Sequence, residues 1–132
     1  MTAMQELISI IKEGKLDLSS ASALEVFGGD GAMHTKDYAD AVKSLDIWEI
    51  DPTKREEINA NIPKARVIIC DSYEQVKLNS VHYDMIVVDN PIQKECGHTE
   101  HFELFPDIFK IMNDECFLIL NVIPEVMQGK KY

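Results

Sequence analysis

The stretch Leu24-Glu25-Val26-Phe27-Gly28-Gly29-Asp30-Gly31 decides how the rest of the chain is read. It passes from apolar residues through an acid into three glycines. Glycine has no Cβ, so it lets the backbone turn sharply and approach a ligand closely, and a helix that follows offers its unpaired N–H groups. The pattern predicts a strand, a tight turn and a helix. Working outward, the run Ala23–Phe27 is followed by four more apolar runs, Leu45–Ile50, Ala65–Cys70, Tyr83–Val88 and Cys116–Val122. None alternates cleanly between apolar and polar residues, which is the signature of strands covered on both faces, as in a parallel sheet. The intervening segments Met33–Lys43, Pro52–Asn61, Ser72–Leu78 and Thr99–Met112 are long enough for crossover helices. Right-handed crossovers then predict a doubly wound α/β fold: a mostly parallel five-stranded sheet of order 3-2-1-4-5 with helices on both faces. Ahead of it, apolar spacing from Met4 to Ile11, ended by Gly14, predicts an amphipathic N-terminal helix within residues 1–15.

Composition bounds the function. With 132 residues, 45% hydrophobic and 27% charged, the chain is expected to form a single globular domain with a polar tail over 125–132, which excludes disordered and fibrous classes. The net charge of −10 weighs against unaided binding to nucleic acid or anionic membrane, because phosphate neutralisation needs clustered Lys and Arg. Three cysteines, Cys70, Cys96 and Cys116, form an odd set without CxxC spacing, as expected of a cytoplasmic protein. The N-terminus lacks the pattern of a signal peptide, and no apolar run approaches the roughly 20 residues of a membrane span.

In a doubly wound sheet, ligands bind beyond the carboxyl ends of the strands, so the exits carry the chemistry. They are the glycine turn, then Trp48-Glu49-Ile50-Asp51, then Cys70-Asp71-Ser72, then Val88-Asp89-Asn90-Pro91. Glu49 follows the turn by about 20 residues, the place of an acid that accepts both hydroxyl hydrogens of a ribose. A nucleoside-containing cofactor is the expectation. Each exit also has a plain structural reading: a turn for the glycines and for Asp89-Asn90-Pro91, a solvated strand end for Glu49, and a helix N-cap for Asp71 with Ser72.

The dinucleotide pattern GxGxxG is interrupted by His34 at its third glycine. The segment instead resembles motif I of the class I S-adenosylmethionine-dependent methyltransferases, a Rossmann-like superfamily, with Phe27 at the first glycine as in the LFxGxG variant of amino-group methyltransferases. The resemblance spans about Met4 to Pro124. It implies S-adenosylmethionine as cofactor, with Gly29 and Gly31 lining its methionine part, Glu49 holding the ribose hydroxyls, Asp71 with Ser72 facing the adenine, and Glu25, Phe27, Gly28 and Ile50 also among the cofactor-binding residues. Asp89-Asn90-Pro91 stands at the position of motif IV, which implies catalytic and cofactor contacts there, although Asn90 precedes a single proline and Ile92 replaces the aromatic residue. The implied reaction is methyl transfer to an amino group.

That family's sheet has seven strands, so the sequence is expected to be a short form lacking the last two. A second copy or a partner subunit would then cover the edge of the fifth strand. Two other functions remain open on the residues: a non-catalytic binding or regulatory relative, and an NAD-binding oxidoreductase. The cluster Cys96, His98, His101 and Glu103 has zinc-ligand chemistry without a second ligand pair, so no metal is expected. Trp48 reads as core or pocket wall, and Phe102, Leu104, Phe105, Ile108, Phe109 and Met112 as one buried helical face.

Overall fold

The computed structural model describes residues 2–14, 17–26, 31, 34–88 and 101–120, with side chains from 104 onward in the last stretch. Helix α1 (Ala3–Glu13) begins with a capping box in which the Gln5 amide donates to Thr2 Oγ1 and the Thr2 amide to Gln5 Oε1. That exchange satisfies two of the donors a helix start leaves unpaired. Strand β1 (Ser22–Val26) leads to helix α2 (Thr35–Tyr38), and β2 (Ser44–Glu49) to α3 (Arg55–Asn61). Then come β3 (Arg66–Ile69), α4 (Ser72–Leu78), β4 (Tyr83–Val88), α5 (His101–Ile108) and β5 (Met112–Leu120).

The strands form one sheet of order β3-β2-β1-β4-β5, and every pairing is parallel. Helices α1, α2 and α3 cover one face, where Met4, Ile8, Tyr38 and Ile58 pack on Ala23, Leu45, Ile47, Met85 and Val87. Helices α4 and α5 cover the other, where Val76, Leu104 and Ile108 meet Leu24, Val26, Trp48, Ile86 and Val88. Alternate residues of each strand therefore enter alternate cores, which is why the strands read as continuous apolar runs. Trp48 is core, buried under the second layer.

Because β1 leads through α2 to β2 on one side while β4 leads through α5 to β5 on the other, the chain reverses its direction of winding between β1 and β4. A crevice at the carboxyl ends of the strands follows from that reversal.

Three expectations need correction. The helix expected over Met33–Lys43 is the single turn α2 followed by a 3-10 turn, Ala39–Ala41. Lys64 Nζ donates to the Ala39 and Val42 carbonyls, at 2.7 and 2.6 Å, satisfying acceptors in and just after the 3-10 turn. Strand β5 starts at Met112 rather than Cys116, since a register shift opposite Tyr83–Met85 lets the polar Asn113-Asp114-Glu115 bulge out of the ladder. Met112 consequently belongs to this strand. Leu104 and Ile108 are buried as expected, but Phe109 is 57% exposed. The chain tightens to a 3-10 turn at Phe109–Ile111, and the shorter repeat carries Phe109 off the buried stripe while Ile111 takes its place.

Candidate functional site

The carboxyl edge of the sheet is built from the strand exits. Beyond β1, Gly31 has φ +76°, a left-handed conformation that L side chains rarely adopt, and a Cβ there would lie 3.2 Å from Ile62 Cγ1. Both facts favour glycine, the left-handed backbone most of all. Phe27, Gly28 and Gly29 lie outside the described residues.

Glu25, the penultimate residue of β1, is only 3% exposed and points to the α2 face. Thr35 Oγ1 lies 2.7 and 2.6 Å from its two carboxylate oxygens, and the Tyr38 hydroxyl donates to Oε1 at 2.6 Å. A buried carboxylate requires such donors, because burial strips away its hydration. In the sequence Thr35 and Tyr38 stand out only by their i, i+3 spacing, which is too common to mark them as partners of Glu25.

At the tip of β2, Glu49 Oε2 accepts the Asp51 amide at 2.8 Å, so the acid turns the chain as it leaves the sheet. Asp51 in turn caps the following turn by accepting the Thr53 hydroxyl and amide, which hold its carboxyl below the ordinary value. Between the two acids, Ile50 is 67% exposed, an apolar side chain standing at the open edge.

The β3 exit lies alongside. The Cys70 amide donates to the Glu49 carbonyl at 3.0 Å, and Asp71 Oδ1 accepts the Tyr73 amide at 2.9 Å as the N-cap of α4. Ser72 is buried as the first residue of that helix. Burial pushes the Cys70 thiol up to about 11, with the Asp71 and Glu49 carboxylates adding to the effect. The carboxylates of Glu49 and Asp71, the exposed Ile50 and Gly31 are thus brought to one edge. Asp89, Asn90 and Pro91, expected at the β4 exit, lie outside the described residues, as does the CxHxxH cluster with its side chains. Among the described residues, no group of three or more His, Cys, Asp or Glu side chains is placed to hold a metal ion.

A cavity of about 1220 Å³ opens at the opposite, amino edge, between Asp17, Ser20, His82, Asp84, Asn113 and Glu115. None of the strand-exit residues lines it. Size alone does not outweigh the crevice rule for parallel sheets, and the candidate site is assigned to the carboxyl edge.

No family profile and no curated protein sequence matches the chain. Solved structures do share its fold. An S-adenosylmethionine-dependent methyltransferase of Clostridium acetobutylicum matches with a TM-score of 0.72 at 15% identity, over 96% of this chain and 52% of that one. A precorrin 8w decarboxylase of Methanobacterium thermoautotrophicum matches at 0.68 and 18%, over 98% and 68%. A candidate RNA methyltransferase of Pyrococcus horikoshii matches at 0.67 and 18%, over 96% and 63%. The chain therefore spans between about half and two thirds of the length of these structures. Identity this low shows a shared fold alone, the doubly wound parallel sheet, and leaves the reaction to be argued from the site.

Proposed function

We propose that this chain binds S-adenosylmethionine at the carboxyl edge of its sheet and transfers the methyl group to an amino acceptor. The observation that supports the reading is the position of Glu49, at the tip of the strand next to β1, with the β1 tip on one side and the β3 exit, Cys70-Asp71, on the other. Glu49 would accept hydrogen bonds from the ribose hydroxyls, and Ile50 would lay its exposed apolar surface against the purine. Asp71 and Ser72 would face the adenine edge, with Asp71 also keeping its cap on α4. Glu25, Phe27, Gly28, Gly29 and Gly31 would line the methionine part. Carboxylates at this edge suit hydroxyls and a cationic sulfonium better than they suit phosphate.

When bound, the cofactor supplies an electrophilic methyl carbon, and the displacement is in line. The work left to the protein is placement of the acceptor nitrogen and acceptance of its proton. Asp89, Asn90 and Pro91 are the residues we assign to that task, with Asp89 also touching the cofactor. Cytoplasmic residence belongs to the same proposal. So does a second copy or partner subunit over the β5 edge, where Cys116–Leu120 form a half-exposed apolar run; sedimentation with and without the partner distinguishes the two occupants.

Calorimetric titration with S-adenosylmethionine, S-adenosylhomocysteine and NAD tests the proposal. Both sulfur nucleosides should bind, and Glu49→Ala should weaken them at least about tenfold, the loss expected for hydrogen bonds to a carboxylate. If neither binds, the proposal is wrong; if NAD alone binds, the site is that of an oxidoreductase. Binding without transfer to any amine would leave a non-catalytic relative.

A further inference from the structure

Helix α2 is a single turn of four residues, far too short to persist on its own. What holds it is a set of side-chain contacts from both sides. Beneath it, Glu25 of β1 takes the hydroxyls of Thr35 and Tyr38. Outside it, Asp37 accepts the Thr2 hydroxyl at 2.8 Å and the Gln5 side-chain amide at 3.3 Å, both from the exposed start of α1. The two sets differ in weight. The outer bonds lie in solvent, where they compete with water, whereas Glu25, Thr35 and Tyr38 are all buried and Tyr38 is fully enclosed.

The inner set joins two particular points. Glu25 lies one residue before the end of β1, and Thr35 is the first residue of α2. Between them Gly31 rests against Ile58, Asn61 and Ile62 of α3 and its C-cap, in a conformation other residues rarely adopt. The strand tip, Gly31 and the first turn of α2 are thereby held in one frame. A ligand at the β1 exit lies next to the strand tip and Gly31, the two points this frame places.

We propose that Thr35 and Tyr38 are positioning residues for the ligand at the β1 exit, acting through the Glu25 carboxylate to hold the start of α2 and Gly31 in register with the strand tip. Neither hydroxyl touches the ligand. The role rests on the reading of this edge as the S-adenosylmethionine site, and it adds a bracing task to the place beside the methionine part that this reading gives Glu25. Removing one hydroxyl takes a buried hydrogen bond out of the link between the strand tip and α2, and the register loosens.

The test uses isosteric changes. Thr35→Val and Tyr38→Phe delete one hydroxyl each with little change in shape, while Thr35→Ser keeps the donor. Titration with S-adenosylhomocysteine well below the melting temperature should show each deletion weakening binding about tenfold. The pair together should weaken it by less than the product, because both act through one carboxylate. Thr35→Ser should return affinity to the wild-type value. Melting temperatures measured in parallel separate this role from a purely structural one, in which the midpoint drops while affinity stays unchanged. Folded deletion variants that bind like wild type, or Thr35→Ser as weak as Thr35→Val, overturn the positioning role alone. Wild-type protein that fails to bind S-adenosylhomocysteine overturns it together with the functional reading. Should Tyr38→Phe not fold, the Thr35 pair still decides.

Discussion

Cys70 shows how burial and charge act on one side chain at the edge of the sheet. Its thiol is desolvated by the second core and faces the carboxylates of Asp71 and Glu49, and all three effects disfavour the thiolate, giving a value of about 11. Cys116 reaches about 11 chiefly through burial, with Asp84 adding to it. The thiolate is the nucleophile, so both cysteines should react with iodoacetamide at pH 7.5 roughly two orders of magnitude more slowly than an unperturbed thiol. Their rates should keep rising past pH 10. Mass spectrometry of labelled peptides measures this, and a rate at either site equal to that of a free thiol would contradict the environment described. Asp71 is legible in the sequence as an N-cap candidate, because an acid two residues before Tyr73 at a strand exit is where a helix start needs one. Nothing in the one-dimensional pattern discloses that Glu25 is met by Thr35 and Tyr38. Those contacts depend on how α2 folds back over β1, and hydroxyl residues at i, i+3 occur in many helices that brace nothing.

At the scale of elements, the β4–β5 pair carries the largest departure from the expected pattern. The bulge that places Asn113 beside β4 also lets its side-chain amide donate to Asp84 Oδ1 at 2.7 Å, while the Ser22 amide donates to Oδ2 at 2.9 Å. One carboxylate thus joins the starts of β1, β4 and β5. The backbone bond from Ser22 holds Asp84 below the ordinary aspartate value, against a smaller opposing effect of burial, and the Asn113 and Ser22 side chains add to the lowering. A depressed folded value means that the ionised form stabilises the native state. That contribution is present above about pH 4 and is lost as pH falls through the folded value. Asp84→Asn should therefore lower the melting temperature at pH 7 and flatten the decline in the acid range below about pH 4. Thermal melts over that range measure it, and parallel curves for variant and wild type would show that Asp84 is not a source of acid sensitivity. The early start of β5 was hidden because three consecutive polar residues interrupt its apolar run, and a bulge is visible only when the partner strand is in place.

Across the whole molecule, two cores share one sheet. Leu24 lies in the central strand, fully buried between β2 and β4 on the α4–α5 face. Leu24→Ala should cost about 2–5 kcal/mol, the range for a buried leucine whose surroundings cannot collapse around the gap. Urea unfolding gives the value, and a loss below about 1 kcal/mol would mean that the second core is loosely packed. Among the described residues, no helix is long and apolar enough to cross a membrane. The apolar runs by themselves determined the five strands, the α/β class and the gathering of Glu25, Glu49 and Asp71 at one edge, because burial on both faces and right-handed crossovers leave few ways to connect such runs. Only the tertiary structure decided that Glu25 is braced from α2, that Glu49 and Cys70 are joined across strand tips, that Phe109 leaves the core and that β5 bulges. Hydrophobic pattern specifies which side chains leave water. Which donor then meets which acceptor is settled by distances between residues remote in sequence, and those exist only once the chain has folded.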